Sequence, residues 1–188
     1  MWAIVTDGSI TKIINQPKPL VIGDTQYSKN IFSFRWSNAE REAIGLYEVV
    51  FDNTNFKNQE YYTNTNQTFA FADGAVTASY GSATAKALAD VTENDIVIPG
   101  LKSKHKEKIK QQASGLLTTY DWYVIRKADA GTAVPSAITT YRAAVRTASN
   151  DMETLIDNAA NVDALAALYI YNDDDPPVRP LGEFPEAL

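Results

Sequence analysis

The residue texture of this chain changes once, near Val91–Gly100, and that change limits what it can fold into. Before it, aromatic, β-branched, Asn and Thr residues dominate, and Asp-Gly pairs mark the turns. After it, Ala, Leu and Lys dominate, and apolar positions recur at three and four residues. Period two belongs to strands and period 3.6 to helices. The expectation is an α+β protein in three parts. A small, mainly antiparallel β domain with one short helix spans 1–92, a small helical domain spans 93–171, and an extended Pro-rich acidic tail spans 172–188. A length of 188 residues fits one domain or two small ones.

In the first part, Trp2–Val5 and Ile10–Ile14 flank Asp7-Gly8, a strong short hairpin signal. Gln67–Phe71 and Ala75–Tyr80 flank Asp73-Gly74 in the same way. Glu60–Thr63, Leu20–Ile22, Tyr47–Phe51 and the alternating run Asn30–Arg35 read as further strand candidates. Ser37 with Glu40 three residues later forms a capping box, and Gly45 supplies the stop, so a short helix is expected between them. Tyr61, Tyr62, Phe69, Phe71 and Tyr80 cluster among Asn and Thr. Two readings are open for them: core and cross-strand packing, or a sugar-stacking platform with Tyr61 and Tyr62 as the ligand contacts.

In the second part, Ser82–Asp90 has helical propensity but is short. Leu101, His105, Ile109, Ala113, Leu116 and Leu117 share one helix face. Lys102, Lys106 and Lys110 share another, as a solvated face or as a surface for an acidic partner. No aromatic residues interleave with these lysines, so nucleic acid is not expected. Trp122, Ile125 and Tyr123 read as core residues of the next helix, which Gly131 ends. Ile138, Tyr141, Arg142, Val145, Met152, Leu155 and Ile156 follow helical spacing after Pro135. A last helix from about Val162 to Tyr169 has Asn161 as its cap.

Composition excludes more than it names. The chain has no Cys, which removes disulfides, thiol catalysis and Cys-rich metal modules, and one His, His105, which stands without a ligand pattern. Asp173-Asp174-Asp175 lacks the alternating spacing of a calcium loop. No P-loop, dinucleotide fingerprint or nucleophile elbow occurs. No catalytic, metal or cofactor site is expected, and the chain reads as non-enzymatic. No apolar run of about 18 residues occurs, so no membrane span is expected, and the first residues do not read as a signal peptide.

Charge is segmented. Residues 1–100 carry 7 Lys and Arg against 11 Asp and Glu, a charge of −4; residues 101–150 carry 9 against 3, or +6; residues 151–188 carry 1 against 9, or −8. Opposite blocks can attract within the fold or across a partner contact. In the tail, Val178, Leu181 and Phe184 recur every three residues. That is the period of polyproline II, so these three could face one groove on a partner.

One constellation is more specific. Leu116, Leu117, Asp121 and Trp122, then Pro135, then Tyr141, Arg142, Val145 and Arg146 resemble the pattern LL-x-x-[ST]-D-W … P … W-x-x-Y-R-x-x-[LV]-R. That pattern belongs to tail-assembly-chaperone and tail-fibre-assembly-like proteins of tailed bacteriophages. Tyr120 departs from it where Ser or Thr is usual, and Ala137-Ile138 where an aromatic often stands. The opening Trp2–Gly8, the run Asn30–Phe32 and the stretch Ser37–Val49 also look like the first domain of such proteins. The resemblance implies a phage tail or tail-fibre protein as partner, assembly in the host cytoplasm, and retention in the virion tail, with a homo-oligomer there as one arrangement. Trp122, Arg142 and Arg146 become partner-binding candidates, beside Lys102, Lys106, Lys110, Val178, Leu181 and Phe184. A transient tail-fibre assembly chaperone and a host-surface carbohydrate-binding module are the alternatives.

Overall fold

The computed structural model describes all 188 residues. The fold is α+β, in two compact units, Met1–Thr84 and Ala85–Leu188. The division falls earlier than the expected seam at residue 92, and the tail belongs to the second unit rather than standing apart.

In the first unit, β1 (Trp2–Thr6) and β2 (Ser9–Ile14) form the expected hairpin. Asp7 and Gly8 both have positive φ, 50° and 75°, as a type I′ turn requires. A small hairpin, β3 (Leu20–Ile22) and β4 (Thr25–Tyr27), follows. Asn30–Arg35 is not a strand. A 3-10 turn occupies Lys29–Phe32, because the Ser28 hydroxyl caps the Asn30 amide and Ser33 closes back on the Asn30 carbonyl.

The short helix α1 (Asn38–Ala43) has the expected reciprocal capping box. The Ser37 amide donates to Glu40 Oε2 at 2.7 Å and the Glu40 amide to Ser37 Oγ at 3.3 Å. The Ser37 amide, and after it the Ser37 hydroxyl at 2.8 Å, hold the Glu40 carboxyl below its ordinary pKa. Gly45 has φ +78°, and a Cβ there would sit 2.6 Å from the Val5 carbonyl oxygen, so glycine alone fits. The chain then runs through β5 (Leu46–Asp52), the short β6 (Tyr62–Thr63), β7 (Gln67–Ala72) and β8 (Ala75–Tyr80) to β9 (Thr84–Ala85) at the boundary.

Five of these strands form one sheet in the order β2-β1-β5-β8-β7. Every neighbouring pair is antiparallel except β5 with β8. The sheet curls until its edge strands β2 and β7 meet. Ala3, Val5, Val49, Val76 and Ala78 pack inside the curl, with Tyr47, Phe69 and Phe71 against them. The small alanines allow the close approach. A bulge between Ile4 and Val5 puts both Ile10 and Ile13 on that inner face, although their spacing is odd.

The other face is covered by the segment from β3 to α1. Ile4, Ile14 and Leu46 meet Leu20 and Ile31 there, and each such buried side chain contributes about 1.5–3 kcal/mol. Arg41, which the sequence reading passed over, locks this cover. It is buried and donates to Ile31 O at 2.7 Å, Ser33 O at 2.6 Å and Asn38 Oδ1 at 2.9 Å, with its guanidinium 4.8 Å from the Trp2 ring centroid.

The second unit begins without the short helix that Ser82–Asp90 suggested. The hairpin β10 (Val91–Glu93) and β11 (Ile96–Ile98) turns through Asn94 and Asp95, both at positive φ. Four helices follow: α2 (Leu101–Thr118), α3 (Asp121–Ala130), α4 (Ser136–Asn158) and α5 (Val162–Ala167). Helix α2 has no side-chain cap. The carbonyls of Ala87 and Leu88 accept from Leu101 and Lys102 at 2.9 and 3.0 Å, and Asp90 Oδ1 accepts from Gly100 at 2.8 Å. The Ser103 side chain, with the Gly100 amide, holds the Asp90 carboxyl below its ordinary pKa.

Helices α2 and α4 run antiparallel, as the pairings of Lys106 with Asp157 and Lys110 with Glu153 show. The buried face of α2 is Leu101, His105, Ile109 and Ala113, and that of α4 includes Ile138, Tyr141, Val145, Met152 and Ile156. Leu155, expected on that stripe, is on the outside. His105 is buried, with Nδ1 2.7 Å from the Tyr169 hydroxyl. Asn161 caps α5 through Ala164, and Gly131 ends α3 in the left-handed region.

Candidate partner-docking surface

The constellation Asp121–Trp122 … Tyr141–Arg142 … Arg146 comes together where α2 ends, α3 begins and the N-terminal half of α4 passes. Arg142 is buried and projects from α4 to this corner. Its Nη1 donates to the Leu117 carbonyl at 2.7 Å and pairs with Asp121 Oδ1 at 2.8 Å. One guanidinium thus adds a charged donor to the Leu117 carbonyl, which also accepts from the Tyr120 amide at 3.0 Å, and holds the first residue of α3. Asp121 also places negative charge at the positive end of that helix. Arg146, one turn on, is exposed and donates only to the Arg142 carbonyl, at 3.4 Å.

Helix α3 itself departs from expectation. Trp122 and Ile125 were expected in the core, yet α3 buries no residue. Trp122 is 49% exposed, Val124 44% and Ile125 67%. The reason is geometric. The two residues between α2 and α3 and the Arg142 tether hold only the start of α3, and the rest of the helix packs little on α2. Trp122 does not bridge two helices. It stacks on Tyr123 at 3.8 Å, and the Arg126 guanidinium lies 4.7 Å from its ring. Arg126 Nε is covered in that stack without a hydrogen-bond partner. The result is an aromatic-cationic ridge with aliphatic side chains beside it, on a helix that nothing in its own unit covers.

The other candidate residues lie elsewhere. Lys102, Lys106 and Lys110 all reach α4, and of the three only Lys110 stays exposed. Lys102 donates to the Asp157 carbonyl at 2.8 Å, Lys106 pairs with Asp157 at 2.8 Å and Lys110 with Glu153 at 3.4 Å. Acids of α4, rather than the tail, partner this stripe.

Two residues of the tail's three-residue stripe pack on the chain's own helices. Leu181 is 2% exposed, and its amide donates to the Leu168 carbonyl at 3.0 Å. Phe184 packs on the cluster of Ala113, Tyr141 and Val145. Arg179 pairs with Glu183 at 2.8 Å, and the Tyr120 hydroxyl meets the backbone of Leu188. Apolar tail residues gain more by covering their own helices than by waiting in water, so of the three-residue stripe only Val178 stays exposed.

Tyr61 and Tyr62 do not form a stacking platform either. Tyr61 is buried, which pushes its hydroxyl pKa up, and Tyr62 is half-buried with the Lys57 ammonium 4.8 Å from its ring. Phe71 meets Tyr47 at 4.9 Å and Tyr80 meets Phe56 at 4.9 Å, so the aromatic cluster is packing.

No His, Cys, Asp or Glu group has metal-holding geometry, and no helix is long and apolar enough to cross a membrane. No family model, curated protein or solved structure matches this chain. Sequence reasoning missed a second exposed apolar element, the β10–β11 hairpin, where Ile96, Val97 and Ile98 all face out. Its signal was Asn94-Asp95, a pair suited to the left-handed turn region.

Proposed function

We propose that this chain is a non-enzymatic tail-associated protein of a tailed bacteriophage, kept in the virion as a structural subunit, and that α3 is the element with which it docks on a tail or tail-fibre protein. The observation that carries docking is a ten-residue helix that buries none of its residues while exposing Trp122, Val124 and Ile125. Isolated helices under about 12–15 residues are marginal in water. A helix of this length draws its stability from whatever covers it, and Trp, Tyr and Arg, the three types grouped here as Trp122, Tyr123 and Arg126, are enriched at the energetic centres of protein interfaces. The phage assignment rests on the resemblance of the Leu116–Arg146 motif. On this reading the chain assembles in the host cytoplasm and ends in the tail.

The test is co-expression with each tail and fibre protein encoded beside it. Trp122→Ala combined with Ile125→Asp should weaken capture of the true partner by about 30-fold or more, the equivalent of about 2 kcal/mol. Folding should be unchanged, since both side chains are exposed. Unchanged capture would remove α3 from the interface.

A further inference from the structure

We propose that the cleft between α2 and α4 receives the acidic loop of a second copy of this chain, so that copies join head to tail. The cleft holds about 460 Å3, and its lining includes Lys110, Ser114, Asp121, Arg142, Arg146 and Asn150. Three cations there face one carboxylate, and Asp121 is already engaged by Arg142 at 2.8 Å. Arg146 is exposed with no carboxylate against it, and Lys110 meets Glu153 at 3.4 Å. Ser114 and Asn150 add hydrogen-bond donors, so the cleft suits carboxylates.

The matching group is on the same chain. Asp173, Asp174 and Asp175 are exposed, and no Lys or Arg of their own copy pairs with them. Their loop is closed at its base, where the Asn172 amide donates to the Val178 carbonyl at 2.9 Å and the Val178 amide to Asn172 Oδ1 at 2.8 Å. The Asn172 side chain also donates to Asp174 Oδ2 at 2.6 Å. Just beyond, buried Leu181 anchors the chain. A loop already shaped in this way loses little freedom on docking. None of its residues lines its own copy's cleft, which leaves a neighbour's cleft as its receptor. Arg146 and Arg142 in the cleft and the three aspartates of the loop supply the charge complementarity. Cleft and loop are different patches, so the contact is heterologous and propagates as a ring or a filament. The contact uses none of the apolar side chains of α3 and goes beyond the proposed docking function.

Sedimentation of the full chain tests it. Self-association should appear at 0.1 M salt and weaken by about tenfold or more at 1 M, where the screening length falls from about 10 Å to about 3 Å. Arg146→Glu alone, or Asp173→Asn, Asp174→Asn and Asp175→Asn together, should give monomers with an unchanged circular dichroism spectrum. Mixing Arg146→Glu chains with chains carrying Asp173→Lys and Asp174→Lys should restore a 1:1 complex. Trp122→Ala should leave self-association intact, which separates this contact from α3 docking. A wild-type chain that stays monomeric at 0.1 M salt up to about 1 mM, a concentration at which even millimolar contacts show, overturns the proposal. So does association that Arg146→Glu leaves unchanged or that Trp122→Ala removes.

Discussion

Gly100→Ala should cost the second unit about 3 kcal/mol or more, lowering its melting temperature by roughly 15 °C. Gly100 is extended, with φ −75° that any residue can adopt, so the cause is not backbone strain. A Cβ there would drive into the Ala89 carbonyl, with the Leu88 carbonyl oxygen 2.8 Å away. Both obstacles are backbone, which cannot turn aside as a side chain can. The segment from Ala87 to Asp90 would have to retreat, and it carries the acceptors of the Gly100 amide and of the first two amides of α2. Buried donors left unpaired cost about 1–3 kcal/mol each. Thermal melting, with hydrogen exchange read on residues 101–104, measures the loss. Gly115→Ala is the control. Gly115 sits exposed inside α2 with nothing near its added methyl, so that change should stabilise by about 0.5–1 kcal/mol.

Arg142→Leu should have the second largest effect, about 2–3 kcal/mol of stability together with loss of an ordered α3. Leucine keeps the apolar stem of the side chain but removes both bonds, to Leu117 O at 2.7 Å and Asp121 Oδ1 at 2.8 Å. The α2–α4 pair keeps its own core of Ala113, Tyr141 and Val145. The ten-residue α3 keeps only its short covalent link, below the length at which a free helix holds its shape. Hydrogen exchange should therefore rise across residues 121–130 well before it rises in α4. Arg142→Lys should fall between, since one ammonium matches the two acceptors less well than the planar guanidinium. Exchange that rises equally in α3 and α4 would show that Arg142 is general core packing, not a tether.

Much of the fold was legible because local chemistry and global structure agree. Asp7-Gly8, Asp73-Gly74, the Ser37–Glu40 box, Gly131 and Asn161 each determine a turn or cap within a few residues, and each stands where expected. The stripe from Leu101 through Ala113 was legible for the same reason. What failed depended on distance. Nothing local shows that Arg41 reaches back to Ile31 and Ser33. Hydrophobic spacing marks Trp122 and Ile125 as residues that seek cover, but it does not tell cover within the chain from cover by another protein. The tail shows the converse. Its three-residue period was real, yet Leu181 and Phe184 found their surface on the chain's own helices. Of the constellation near α3, the sequence supplied the residues, and only the fold showed that Arg142 pairs with Asp121 and holds a helix out to solvent.

The central claim, that α3 docks this chain onto a tail or fibre protein within the virion, is tested most directly by placing a photo-crosslinking amino acid at position 125, purifying phage particles and identifying the cross-linked partner by mass spectrometry. The account predicts that the chain is present at fixed stoichiometry and joined through position 125 to a tail or fibre protein. A chain absent from the particles, or present with no cross-link from position 125, would contradict it.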